Sequence, residues 1–142
     1  MSNKIKIYLA GAAKNLEDEG REWRERATKM LEQAAEWQDV KIKVINPLDY
    51  FSYAEHKHKT HKQVKSYYMN QISKCDVVLC SLTDSDGSVG TGQEVQFACD
   101  HHIPVVGWGR DRVYPWIAEV DCQVVFDTLT EACDYIRDYY MI

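Results

Sequence analysis

Residues 77–82, Val-Val-Leu-Cys-Ser-Leu, are almost uniformly apolar, the pattern of a strand covered on both faces, and Gly87, Gly90 and Gly92 follow closely behind them. Glycines in such a loop let the backbone turn sharply and approach a ligand. The remaining pattern alternates between strand and helix. Lys-Ile-Lys-Ile-Tyr-Leu-Ala at 4–10 predicts a first strand, ended by Gly11. Trp23, Ala27, Met30, Leu31 and Ala34 recur at helical spacing within 15–37, with charges on the opposite side. A β-branched stretch at 40–45 predicts a second strand, stopped by Asn46-Pro47. Residues 48–62 are aromatic, then polar and basic, and are expected to form a loop with some helical turn. Helices are predicted at 64–74, 91–100 and 128–140, strands at 103–107 and 122–126, and an irregular piece at 108–121. No internal repeat interrupts this order. The expectation is an α/β fold: a flavodoxin-like or Rossmann-like open five-stranded parallel sheet, order 2-1-3-4-5, with helices on both faces.

That topology locates a site. Ligands bind outside the carboxyl ends of the strands, at the switch point between strands 1 and 3. Those ends carry residues 8–14 and 84–94, including Tyr8, Gly11, Lys14, Asp86, Ser88, Gly90, Gly92 and Glu94. Backbone N–H groups at the start of the helix after the glycines offer an anion site and would help keep a carboxylate at Glu94 ionised. Asp76, at the opposite edge, is expected to cap or form a turn. Glu94 has a plainer reading too, because Thr91-Gly-Gln-Glu94 has the spacing of a capping box. Thr128-Leu-Thr-Glu131 has the same spacing without surrounding glycines, and there the cap reading suffices. At Glu94 the glycines and the preceding buried strand favour function.

Length and composition narrow the classes. A chain of 142 residues is the size of one domain, taken as 1–142, and its 45% hydrophobic and 27% charged residues are those of a soluble protein. No apolar run approaches the roughly 20 residues of a membrane helix, and the N-terminus lacks the pattern of a signal peptide, so a cytoplasmic location without membrane association is expected. Five cysteines, an odd number never spaced as C-x-x-C, read as reduced thiols rather than a zinc site. A net charge of −5 argues against binding a nucleic acid polymer while leaving room for one small anionic ligand. His56, His58 and His61 have chelating spacing but lie in a basic loop without a carboxylate, so no metal is expected and a lid is the better reading. Tyr50, Phe51 and Tyr53 beside them are candidates to stack on a base or to anchor the loop.

Gly90-Thr-Gly-Gln-Glu94 after a buried strand, Tyr8-Leu-Ala-Gly11 on strand 1 and Ile103-Pro-Val-Val on strand 4 together resemble the nucleoside 2-deoxyribosyltransferase superfamily. The resemblance runs from about Ile5 to Val106. It implies that Glu94 is the nucleophile on the anomeric carbon of a nucleoside or nucleotide, that no cofactor is needed, and that the protein forms a homodimer or larger homo-oligomer whose neighbouring subunit closes the site. Relatives acting on free nucleosides carry an acid six residues before the nucleophile. Here that position is Ser88, which is similar to the 2′-deoxynucleoside 5′-monophosphate N-hydrolase branch, with Lys14 where that branch has a basic residue. Ser88 and Lys14 also read simply as a turn serine and a solvated lysine. Asp84 and Asp86 would weaken a phosphate site unless they point away. The resemblance also implies an aspartate, eight residues before Asp76, that positions the nucleophile; Tyr68 stands there, able to bond Glu94 or simply to join Val64 and Ile72 on an apolar helix face, with Asn70 as a substitute. Where related hydrolases lend a serine across the dimer Pro115 stands, with Arg112 and Tyr114 nearby. A nucleotide-binding module without chemistry and a phosphoribohydrolase-like enzyme remain alternatives.

Overall fold

A computed structural model describes residues 4–13, 16–49 and 60–142. Lys14, Tyr50, Phe51, Tyr53, His56 and His58, each singled out above, lie outside the described residues.

Five parallel strands form one sheet in the order β2-β1-β3-β4-β5. They are β1 (Lys4–Ala10), β2 (Lys41–Ile45), β3 (Val77–Ser81), β4 (Val105–Trp108) and β5 (Val124–Phe126). Tyr8 lies opposite Ile45 on one side and Val78 on the other, so the sheet reverses its winding at β1 and β3. Three helices connect strands, α1 (Arg21–Trp37), α2 (His61–Ser73) and α3 (Val89–Asp100), and a fourth, α4 (Leu129–Tyr140), follows β5. One face of the sheet buries Ile7, Leu9 and Leu79 against Ala27 and Leu31 of α1 and Ala132 and Ile136 of α4. The other buries Tyr8, Val78 and Cys80 against Ile72 of α2 and Val95 and Ala98 of α3. All of β3 is buried, as its apolar run requires.

Several boundaries differ from the sequence pattern, each for a local reason. α1 begins at Arg21 rather than 15, because the Asp18 carboxylate takes the N–H groups of Gly20 and Glu22, and Gly20 adopts a left-handed φ of 75° that breaks helical continuity. α2 starts at His61, three residues early, where Thr60 and Gln63 form a capping box. α3 starts at Val89, with Ser88 rather than Thr91 as its cap. The irregular stretch contains a π-helical turn over Trp116–Asp121. At the lower edge, Asp76 takes the structural role expected of it: its carboxylate accepts the Lys6 N–H at 2.8 Å and its own N–H bonds the Lys6 carbonyl, also at 2.8 Å. At Thr128 the capping box with Glu131 is present.

Candidate active site

The ends of β1 and β3 open onto a cavity of about 600 Å³, within the range of small-molecule sites. Gly11, Tyr68, Ser88, Gly90 and Glu94 line it, together with Arg24, Lys65, Asp84 and Arg112. Tyr8, Asp86 and Gly92 do not line it. Tyr8 lies beneath the wall, fully buried, and donates its hydroxyl to Glu94 Oε2. Gly92 is turned toward Ile117.

Glu94 lies in the second turn of α3, so the helix-terminal N–H groups expected to hold its charge are a turn away. Burial pushes its pKa up to about 7, opposed by the Tyr8 hydroxyl and the Arg24 guanidinium. Tyr8 is in turn held firmly protonated by its own burial and by the neighbouring carboxylate, so it acts as donor. The capping-box reading of Glu94 fails in this geometry. Ser88 Oγ accepts the Thr91 N–H at 3.4 Å and shares a 2.6 Å bond with Thr91 Oγ1, leaving the Glu94 side chain with Tyr8.

The glycines serve a different purpose from the one their spacing suggests. Among the described glycines only Gly20 and Gly109 have positive φ; the sharp turn after β3 is made by Asp84, with φ 61°. A Cβ added at Gly87 or Gly90 would meet nothing within 4 Å. Their missing side chains keep the cavity wall open, and the backbone of the first turn of α3 faces the void.

Asp84 and Asp86 are compensated. Arg112 Nε lies 3.0 Å from Asp84 Oδ1 and 3.8 Å from Asp86 Oδ1. Backbone bonds from Asp84 N to Asp111 O (3.0 Å) and from Asp86 N to Arg112 O (3.2 Å) tie the two loops together. Tyr68, at the position where an aspartate was expected, turns its hydroxyl to the Pro47 carbonyl at 2.8 Å rather than to Glu94. Its ring meets that of Tyr8 edge-on, with centroids 6.4 Å apart. Asn70 is exposed on α2 and does not line the cavity, so it does not replace the aspartate.

Sequence reasoning missed two cations on the wall, Lys65 on α2 and Arg24 on α1. Arg24 was not singled out by the sequence pattern, yet it is only 2% exposed. The signal was present: Arg24 is in phase with Ala27, Leu31 and Ala35, the buried stripe of α1.

An open parallel sheet with a half-buried carboxylate and a helix start facing one cavity at its switch point defines an α/β small-ligand protein. More specifically, the chain belongs to the nucleoside 2-deoxyribosyltransferase family, whose model matches residues 7–128. Among solved structures it is similar to a 2-deoxyribosyltransferase from Bacillus psychrosaccharolyticus, at 18% identity and TM-score 0.70, covering 92% of this chain and 91% of that one. A 2-deoxyribosyltransferase from Leishmania mexicana aligns at 16% identity and TM-score 0.69, over 96% and 99% of the two chains. A CMP N-glycosidase from Clostridium botulinum aligns at 12% identity and TM-score 0.55, over 94% and 99%. At these identities the likeness is one of fold. No curated protein matches by sequence.

Proposed function

We propose that this protein cleaves the N-glycosidic bond of deoxyribonucleoside 5′-monophosphates, with Glu94 as nucleophile and water or a second base as acceptor. The observation that carries this reading is the Glu94 carboxylate itself, half-buried on the wall of the cavity and held by the Tyr8 hydroxyl. In the first step a Glu94 oxygen attacks C1′ from the face opposite the base. The C1′–N bond breaks, its electron pair leaves with the base, which takes up a proton, and a glycosyl ester remains on Glu94. In the second step water attacks C1′ and gives up a proton, the ester bond breaks back to the carboxylate, and the sugar leaves with retained configuration; a base as second nucleophile completes a transfer instead.

Preference for a 5′-phosphate rests on the first turn of α3. The N–H groups of Val89 and Gly90, at its start, have no partner within the helix and belong to residues that line the cavity. If Thr91 Oγ1 donates to Ser88 Oγ across their 2.6 Å contact, the Ser88 hydrogen is free to donate to a phosphate oxygen. Arg112 offsets the acids at the mouth, and Lys65 adds a second cation. A homodimer, or a larger homo-oligomer, is the assembly that goes with this reading.

The test is incubation with a panel of nucleosides and nucleotides, scored for free base with and without an acceptor base. Release from deoxyribonucleoside monophosphates is expected, and no release from any substrate would overturn the reading. A second reading, a nucleotide-binding module without turnover, is favoured by one observation: the Tyr68 hydroxyl is engaged by Pro47 and brings no charge to Glu94. In that case calorimetry would show binding of a monophosphate and the panel no free base.

A further inference from the structure

Arg24 is a buried cation without an ion-pair partner among the described residues. Its Nη2 donates to the Gly11 carbonyl at 2.9 Å, and its Nη1 donates to the Glu19 and Gly20 carbonyls, each at 3.2 Å. Its Nε has no hydrogen-bond partner, and no carboxylate among the described residues lies within ion-pair distance. Burying a guanidinium without a counter-ion is expensive, so the fold must hold it there against that cost. The backbone is built around it: Gly20 is left-handed, and a Cβ on Gly20 would lie 2.4 Å from Arg24 Nη1 and 2.9 Å from the Ala12 carbonyl. The Trp23 ring lies under the guanidinium carbon at 4.9 Å.

The same side chain lines the cavity that Glu94 lines. Gly11, which it holds, directly follows the end of β1, the strand that presents Tyr8 to Glu94. Among the described residues, the ionisable groups that act electrostatically on Glu94 are Tyr8 from β1, Cys80 from β3 and Arg24 from α1, with Tyr68 of α2 against Tyr8. Lys65 and His61 of α2, and Asp84 and Arg112 at the mouth, share the cavity on its more open side. Among the described residues coupled to Glu94 in this way, only Arg24 carries positive charge.

We propose that Arg24 is a positioning residue for Glu94: its buried guanidinium is a fixed positive charge that favours the anionic form of the Glu94 carboxylate on the cavity wall, and its bond to Gly11 locks the end of the strand that carries Tyr8. The catalytic significance of this rests on Glu94 being the nucleophile. Its effect on the charge state of Glu94 does not, and the two can be tested apart.

The experiment compares wild type with Arg24→Gln, which removes the charge but retains a donor for the Gly11 carbonyl, and Arg24→Lys, which retains the charge. The side-chain carboxyl carbon of Glu94, assigned in ¹³C-glutamate protein by its loss in Glu94→Gln, is titrated by NMR. Arg24→Gln should move the midpoint upward by about one unit or more, the effect of losing a nearby opposite charge, and Arg24→Lys should move it much less. Gly20→Ala, which crowds Nη1 without deleting the charge, should give a smaller shift of the same sign should Arg24→Gln fold poorly. Where base release is measurable, the acid limb of kcat/KM should move with the NMR midpoint. If Arg24→Gln and Gly20→Ala lower Tm while the Glu94 midpoint stays put, Arg24 merely ties down the start of α1 and the proposal is wrong. Absence of any base release by wild type would defeat the nucleophile reading alone, since the NMR midpoint still decides what Arg24 does to Glu94.

Discussion

The Tyr8 hydroxyl, on a residue with no solvent exposure, donates to Glu94 Oε2 and so links the first strand of the sheet to the third helix across the floor of the cavity. Tyr8→Phe keeps the ring and its packing but removes that bond. A hydrogen bond to a charged group is worth roughly 1.5 to 3 kcal/mol, so kcat/KM near neutral pH should fall about 10-fold to 100-fold while the thermal melt stays cooperative. Because this bond lowers the Glu94 pKa, the acid limb of the rate profile should also move to higher pH. An unchanged profile in a folded Tyr8→Phe protein would show that the bond plays no part in the reaction.

Glu94 also makes stability depend on pH in a defined sense. Its pKa rises from 4.5 unfolded to about 7 folded, so between those values the native state holds more protons than the unfolded one. Stability from this group is therefore full below about pH 4.5 and is lost as pH rises through 7. The loss is of order 3 kcal/mol. Glu94→Gln, which cannot ionise, should be more stable than wild type at pH 8 and close to it at pH 5. Urea melts at the two values would check this, and equal differences at both would contradict it.

The same titration sets the activity profile. Attack on C1′ requires the carboxylate, so kcat/KM should climb about tenfold per pH unit below 7 and level off above it. A profile flat from pH 5 to 8 would mean that the ionisation of Glu94 does not limit the reaction.

At the mouth of the cavity, Ser88→Asp should reverse a preference for monophosphate over nucleoside by setting a carboxylate against the phosphate. The charge-assisted bonds at stake are worth on the order of 2 to 4 kcal/mol, or roughly 30-fold to 1,000-fold in the ratio of kcat/KM values. Arg112→Ala should act in the same direction but more weakly, since Arg112 is exposed and its pairs with Asp84 and Asp86 are partly screened. If the ratio is untouched in both variants, the phosphate is held elsewhere or not at all.

The fold was legible because the decisive signals are local and periodic. The short, β-branched apolar run at 77–82, followed by glycines, reads as a strand covered on both faces, and the alternation of strand and helix leaves few topologies. The position of Glu94 followed from that topology. What escaped depended on tertiary contacts. Arg24 went unnoticed, because an arginine does not count toward an apolar stripe although it is in phase with Ala27 and Leu31. Tyr68 looked able to reach Glu94, but its direction is set by the Pro47 carbonyl, which the chain brings in from 21 residues away. Thr91 fits a capping box by spacing, yet the cap lies three residues earlier at Ser88, and the helix, starting at Val89, buries Thr91. The glycines were read as makers of a turn that Asp84 makes instead; from sequence alone, a glycine that bends the chain looks the same as one that leaves space.

The central claim is that Glu94 performs the chemistry. Base release from deoxyribonucleoside 5′-monophosphates should be measured for wild type, Glu94→Ala, and Thr128→Ala as a control that removes only the cap of α4, with folding of each followed by circular dichroism. The account predicts release by wild type and by Thr128→Ala, and none by a folded Glu94→Ala. Substantial release by a folded Glu94→Ala protein would contradict it.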